Sequence, residues 1–348
     1  MNTAGTTATP IYRGIIDDPA AWTTASIGGK EQLCYRLTPE QLRVLDSLIR
    51  KTGHLRPQEA TREDFAHPVV DALVADVRDA IYNGAGAVIL QGVTRERYDK
   101  EQCERIYWGL GTQLGIPSVQ NSRGDRLAHV ADDKTNKVVR GYRSTAELTP
   151  HTDFFAVVGL MCLERAESGG ISHLASALAI HNELVQTRPD LLEPLYRGTR
   201  YALAEARGTD LAVTSFNIPV FSCVDGQVSC FFSRQNSNEA VAQGVSLEPD
   251  FAEAAKWFED TAQDRRFQLE FLLEPGEMMI WNNFVMLHSR TSFEDSAAHT
   301  RDLLRLWLNV DGGRPVLPEL FACAGIYQEM FRRNSAKADA ARTVSAQG

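Results

Sequence analysis

The sequence predicts a mainly β protein with flanking helices, and three features support this fold class. Residues 39–51, 68–82 and 98–114 carry apolar side chains at helical spacing, which places helices in the N-terminal part. After residue 150 the pattern changes to short strand-like segments separated by turns, including the hairpin signal Asp225–Gly226. Regular alternation of strand and helix is missing from the sequence, so a doubly wound parallel sheet is disfavoured.

Local signals define the individual elements. Thr38 is the predicted N-cap of the first helix, Gly115 and Pro117 end the third, and a fourth helix is expected over 176–188. The predicted strands are 87–90, 154–163, segments within 211–222, 228–233, 267–273, one beginning at 278–281, and 303–310. The expected core is therefore antiparallel β, with helices packed outside it.

Composition favours small-molecule chemistry in a soluble protein. The 348 residues carry a formal net charge of −9 and no basic run, which argues against a nucleic-acid partner. Because no apolar run reaches the ~18 residues of a membrane span and residues 1–10 do not resemble a signal peptide, we expect a cytoplasmic protein without a membrane partner. The six cysteines form no CxxC pair and are expected to be reduced, including Cys223 and Cys230 beside the hairpin turn.

The domain organisation is expected to be simple. Residues 1–10 are rich in threonine and alanine, and residues 335–348 carry almost no branched or aromatic side chains, so both ends are predicted to be disordered tails. Length alone allows one or two domains. The expectation adopted here is a single catalytic domain over 11–334.

Two histidines and an aspartate form the candidate metal site. His151 and Asp153 lie two residues apart in TPHTDFF, where an extended strand would point both side chains the same way. With His288 they would make two imidazoles and one carboxylate, the facial triad of non-haem Fe(II) oxygenases, which leaves coordination positions open. Taken alone, each residue is more often an ordinary histidine or aspartate, so the interpretation depends on the neighbouring features.

Two arginines follow the distal histidine. Arg301 and Arg305 lie four residues apart in HTRDLLRLWL, on one side of a predicted strand. An arginine inside a β core needs an anion, and its planar fork suits a carboxylate. Arg301 could therefore anchor the distal carboxylate of 2-oxoglutarate, and Arg305 could bind an anionic group of the substrate. The alternative, ordinary structural arginines paired with acidic residues, stays open for Arg305.

The ordered set His151-x-Asp153, His288 and Arg301 resembles the Fe(II)/2-oxoglutarate dioxygenases of the taurine dioxygenase and clavaminate synthase type, over about residues 84–320. The resemblance implies a double-stranded β-helix (jelly roll) core, with Fe(II) as cofactor and 2-oxoglutarate and O₂ as co-substrates. It also implies that Ser172, in SGGIS, contacts the co-substrate, although the family usually has threonine there. The intact Asp153 favours hydroxylation, because halogenating relatives carry glycine or alanine at this position.

The substrate implied is a small anionic or amino-acid-like molecule. Its tentative further contacts are Tyr142, Arg143, Glu147, Asn121 and Arg234. Desaturation and ring closure begin with the same hydrogen abstraction as hydroxylation and stay open as alternatives. A non-catalytic jelly-roll binding protein would have a defective triad, and a metalloenzyme that does not use 2-oxoglutarate would not need Arg301.

Overall fold

The computed structural model describes residues 9–121, 124–132, 144–203, 212–326 and 328–329. The α-helices are α1 Thr24–Ile27, α2 Pro39–Lys51, α3 Pro68–Tyr82, α4 Lys100–Leu114, α5 Ala177–Thr187, α6 Leu192–Arg197, α7 Arg234–Ala242 and α8 Pro249–Ala262, with a further helix over 318–326. The strands are β1 Cys34–Arg36, β2 Ala87–Gln91, β3 Ile116–Pro117, β4 Leu127–Val130, β5 Leu148–His151, β6 Val157–Glu164, β7 Ser168–Gly169, β8 Ser172–Ser176, β9 Ala202–Leu203, β10 Ala212–Val213, β11 Phe221–Val224, β12 Gln227–Cys230, β13 Gln268–Phe271, β14 Met278–Asn282, β15 Met286–Arg290, β16 Phe293–Glu294 and β17 Asp302–Asn309.

Two sheets position the site. The larger has seven strands in the order β1-β2-β14-β6-β17-β3, with β4 also paired to β17. Its β1–β2 pair is parallel and its other pairs are antiparallel. The smaller sheet is antiparallel in the order β13-β8-β15-β5, which makes β5 an edge strand.

Alternating side chains divide the core into two layers. Leu304 and Leu306 of β17 join a cluster with the buried faces of α2, α3 and α4, so these helices cover the outer face of the larger sheet. Leu303 and Trp307, on the other face of β17, join a second cluster that includes Leu174 of the smaller sheet. The two sheets therefore share one apolar interior, and the period-2 alternation of β17 decides which side chains enter it.

The predicted helices are confirmed closely. Pro39–Lys51 and Pro68–Tyr82 have the expected bounds, and the Thr38 hydroxyl caps its helix by accepting from the Gln41 amide at 3.2 Å. The strand expected from 154 begins at Val157, because Phe154 and Phe155 belong to the turn after the metal-ligand candidates. Asp225–Gly226 does join two antiparallel strands, as predicted.

The six cysteines are free thiols, as predicted. Across the hairpin, Cys223 lies opposite Val228 and not opposite Cys230. Among the described helices, none combines the length and apolar character needed to cross a membrane. Thr9, near the end of the predicted N-terminal tail, exchanges hydrogen bonds with the backbone of Cys223, whereas residues 1–8 and 335–348 lie outside the described part of the chain.

Candidate active site

Strand pairing brings the two histidines together. His151 ends β5 and lies directly opposite His288 in the antiparallel β15. The centroids of the two imidazole rings are 4.2 Å apart. Residues far apart in the chain thus become neighbours through ordinary cross-strand contact.

Asp153 lies close to the two histidines, but, contrary to the prediction, it is not on the same strand as His151. The strand ends at His151, so Asp153 lies two residues beyond it and not on it. The intervening Thr152 bonds the backbone of Phe232. Its amide N–H donates to the Phe232 carbonyl at 2.8 Å, and its hydroxyl oxygen accepts from the Phe232 amide at 2.9 Å. Asp153 Oδ2 then lies 3.8 Å from Nε2 of His288. One ligand atom from each of His151, Asp153 and His288 lies within 4.8 Å of the others.

Asn283, in the turn between β14 and β15, fixes the backbone around Asp153. Its side-chain oxygen accepts from the Asp153 amide at 3.0 Å. Its amide nitrogen donates to the Asp153 carbonyl at 2.6 Å and to the Phe155 carbonyl at 2.8 Å. Since Asn283 is fully buried, these three bonds satisfy groups that water cannot reach.

We expect Asn283→Ala to destabilise the protein by about 3 kcal/mol, because it leaves one buried N–H and two buried carbonyls without a partner. Urea unfolding of the metal-free protein measures this change. The adjacent Asn282→Ala is the matched control: Asn282 is equally buried, but its side chain accepts from the Phe284 amide alone. Its expected cost is about 1 kcal/mol. Equal costs for the two variants would contradict the bracing role of Asn283.

The two imidazoles have different surroundings. Nδ1 of His151 donates to the carbonyl of Thr149 at 2.8 Å, because a carbonyl can only accept; this leaves the lone pair on Nε2. Burial and the neighbouring His151 lower the pKa of His288 to about 3, so its ring stays neutral at ordinary pH. A neutral imidazole is the form that binds a metal ion.

Asp153 is held in its ionised form. Burial raises its pKa, but His288, Arg305 and His151 together with the Trp307 N–H outweigh that effect and keep the pKa below its usual value. The indole N–H of Trp307 donates to Asp153 Oδ2 at 2.7 Å. Two imidazoles and one carboxylate around a common point fit Fe(II).

Arg301, the predicted co-substrate anchor, is a buried cation. It is 4% exposed, and its guanidinium donates to the Val130 carbonyl and lies 5.1 Å above the Phe293 ring. Burial lowers its pKa to about 10. Within the described residues, no carboxylate forms a salt bridge with Arg301. Such a guanidinium is suited to an anionic ligand. Arg301 precedes β17 by one residue, and the pairing of β17 with β6 shifts register just after it.

Ser172 and Arg301 line one small crevice. Ser172 begins β8, directly opposite Arg290 in β15, and is buried. Cys162 and Gly170 complete the inner wall of the crevice. A side chain at Gly170 would meet Arg301 at 3.2 Å and require a positive φ of 68°, so glycine keeps this space open.

Arg305 lies within β17, on the face that Leu303 and Trp307 share, whereas Arg301, which was predicted to be on the same strand, precedes it. It is 7% exposed, and its Nε donates to the side-chain oxygen of Gln120 at 2.8 Å. Its guanidinium lies 4.1 Å above the Trp307 ring, and its charge lowers the pKa of Asp153. Gln120 in turn donates to the Arg305 carbonyl at 2.7 Å. The arginine is therefore braced next to the carboxylate.

The tentative substrate contacts have mixed surroundings. Asn121 donates to Asp125 at 2.8 Å and closes a short turn. Glu147 is exposed, and Arg234 is paired with Glu259 at 3.1 Å. Tyr142 and Arg143 lie outside the described residues.

Three residues of the site carried no clear sequence signal. Gln120 and Asn283 act through hydrogen bonds to backbone groups distant in the chain, which no local pattern reveals. Trp307 lies in the core and also bonds Asp153, a contact that its strand pattern does not reveal. In the described residues the triad is the one group of three or more candidate ligands with metal-holding geometry.

Solved structures share the fold. Asparagine oxygenase in complex with Fe(II), 2S,3S-3-hydroxyasparagine and succinate aligns with a TM-score of 0.61 at 16% identity, covering 80% of this chain and 93% of that one. The non-heme iron oxygenase OrfP, in complex with Fe and alpha-ketoglutaric acid, aligns with a TM-score of 0.57 at 13% identity, covering 80% and 94%.

Sequence comparison identifies the family. FR-33289 synthase of Streptomyces rubellomurinus is 32% identical over 312 residues, which is 85% of this chain and 90% of the relative. A taurine hydroxylase-like protein of Stachybotrys chartarum is 26% identical over 314 residues, covering 84% and 79%. The model of the taurine catabolism dioxygenase TauD, TfdA family matches residues 51–307. The chain therefore belongs to the TauD/TfdA family and is an Fe(II)/2-oxoglutarate-dependent oxygenase.

Proposed function

We propose that His151, Asp153 and His288 ligate the iron of this oxygenase. The observation that carries the proposal is the convergence of their three ligand atoms within 4.8 Å, with the pKa values of His288 and Asp153 both lowered. When bound, iron with 2-oxoglutarate and O₂ supplies the oxidising power to hydroxylate an unactivated C–H bond, with release of succinate and CO₂. The chain itself supplies the donors, the orientation of both substrates and a dry interior.

Arg301 and Ser172 are proposed to hold 2-oxoglutarate. A buried guanidinium that has no carboxylate partner among the described residues can form a charge-assisted, bidentate pair with the distal carboxylate. Ser172 lines the same crevice and can donate its hydroxyl to that carboxylate. Anchoring the far end of the co-substrate would leave its 2-oxo acid end directed at the triad.

Arg305 is proposed to bind an anionic group of the substrate, such as the carboxylate of an amino acid. Its guanidinium lies over Trp307, whose N–H bonds Asp153, so an anion held there would be close to the reacting centre. Two comparisons agree with such a substrate: one relative is named uridine-5′-phosphate dioxygenase, and one structural neighbour is an asparagine oxygenase. Asn121, Tyr142, Arg143, Glu147 and Arg234 stay proposed as further contacts.

The architecture is proposed to be a double-stranded β-helix within one catalytic domain, 11–334. Support comes from the larger and smaller sheets enclosing one apolar cluster, to which residues from Ala20 to Ala324 contribute. The six unpaired thiols support a reducing compartment, and we propose the cytoplasm. The proposed partner is a small-molecule substrate.

Anaerobic mixing of the full-length protein with Fe(II) and 2-oxoglutarate tests the site. We expect the weak visible charge-transfer band of an iron-bound 2-oxo acid. No band with folded protein would contradict the proposal. A screen of amino acids and other small anionic metabolites for stimulated succinate release then identifies the substrate. A product heavier by one oxygen supports hydroxylation, whereas loss of two hydrogens would show desaturation or ring closure.

A further inference from the structure

Two tryptophans lie next to the proposed iron ligands, and they differ in the hydrogen bonding of the indole N–H. Trp307 donates its indole N–H to Asp153 Oδ2 at 2.7 Å. Trp281 lies with its ring centroid 4.9 Å from that of His288, but its buried indole nitrogen has no hydrogen-bond partner in the part of the chain that the structure describes. Trp307 is therefore a candidate positioning residue, and Trp281 is a buried tryptophan with which it can be compared.

The surroundings of Trp307 fix the direction of its N–H. The residue lies in β17, opposite Val158 of β6. Its ring stacks on Phe155 with centroids 4.9 Å apart and an interplanar angle of 22°, and the Arg305 guanidinium lies 4.1 Å above it. A side chain with two rotatable bonds, packed in this way, has no freedom to follow a moving acceptor.

The carboxylate of Asp153 has no such constraint of its own. The torsion that rotates a carboxylate about its Cβ–Cγ bond has broad minima, so a bound ion would meet a range of orientations. A hydrogen bond from a rigid donor to an ionised acceptor is strong and directional. The oxygen that Trp307 holds, Oδ2, also lies 3.8 Å from Nε2 of His288, so this bond fixes the carboxylate on the side that faces the other candidate ligands.

We propose that Trp307 is a positioning residue for the metal site: its N–H holds the Asp153 carboxylate in the orientation that the ion shared with His151 and His288 requires. The inference rests on the proposed assignment of these three side chains as ligands. Partners that orient metal ligands typically contribute about 10- to 100-fold to metal affinity. That is the expected size of the effect.

The test compares Trp307→Phe with Trp281→Phe in the full-length protein, titrated with Co(II) in the absence of 2-oxoglutarate. Co(II) accepts the same donors as Fe(II) and reports binding through its visible absorption. Trp307→Phe should raise the Co(II) dissociation constant about 10- to 100-fold and alter the absorption envelope. Trp281→Phe, which removes an N–H without a partner, should stay close to wild type. An affinity for Trp307→Phe close to that of wild type would overturn the proposal.

A measurement on the wild-type ring avoids dependence on the folding of that variant. The chain has five tryptophans, so ¹⁵N-indole labelling gives five N–H signals. One of them should shift on Asp153→Ala and on addition of Zn(II) to the wild type. Unchanged indole signals in both experiments would overturn the proposal. If the wild-type protein binds no Co(II), the ligand assignment itself fails and the role of Trp307 falls with it, whereas weakened binding in Trp307→Phe alone bears on this inference.

Discussion

Asp153→Ala is expected to abolish succinate formation while the fold survives. It removes the one anionic donor and leaves two imidazoles, too few to fix an octahedral ion. Because loss of residues that merely orient a ligand costs about 10- to 100-fold, loss of the ligand should cost about 100-fold or more in metal affinity. Metal content after dialysis, the anaerobic visible band and succinate release with 2-oxoglutarate measure the effect.

Asp46→Ala is a suitable control for this experiment. Asp46 is also a hydrogen-bonded carboxylate, but it bonds Arg97 and Tyr98 in the helical layer, remote from the triad. The control should retain metal binding and activity. Succinate formation by folded Asp153→Ala at the wild-type rate would refute the ligand assignment.

Arg301→Ala is expected to weaken 2-oxoglutarate binding by about 2–5 kcal/mol, roughly 30- to 5,000-fold in Kd. The substitution deletes the buried guanidinium that we assign to the distal carboxylate. Anaerobic titration of the visible band with 2-oxoglutarate measures Kd directly, independently of turnover. Arg301→Lys should fall between wild type and alanine, because it keeps the charge but loses the planar fork.

Arg165→Ala separates this effect from a general loss of positive charge. Arg165 borders the same crevice, but it is exposed and paired with Glu274 at 3.0 Å. We expect its removal to leave the 2-oxoglutarate Kd nearly unchanged. An unchanged 2-oxoglutarate Kd in Arg301→Ala would mean that another group holds the distal carboxylate and would contradict the proposed role of Arg301.

The sequence was sufficient for the helices and for the residues that carry chemistry. Thr38 and the apolar spacing define α2, because capping and periodicity are local properties. The His-x-Asp pair, the distal histidine and Arg301 could be recognised because metal and carboxylate binding demand particular side chains in a particular order. The structure then shows how pairing between β5 and β15 joins them.

The remaining parts of the site depend on tertiary contacts. That Asp153 lies past its strand follows from the bonds between Thr152 and Phe232, which are distant in sequence. Asn283 and Gln120 are polar residues in loops, and neither type nor spacing distinguishes them from other loop amides. Trp307 matches a core strand pattern, and only its contact with Asp153 gives it a second role.

The position of β5 at the border of the smaller sheet gives the ion a mechanical role as well. Among the described strands β5 pairs with β15 alone, and this pairing is irregular beyond His288. An ion bound by both imidazoles would link the edge strand β5 to β15. Metal binding and the pairing of these two strands would therefore be coupled, and saturation of the site would raise the free energy of unfolding. Loss of iron would then weaken the pairing of the edge strand that carries His151, one of the side chains needed to bind the metal again.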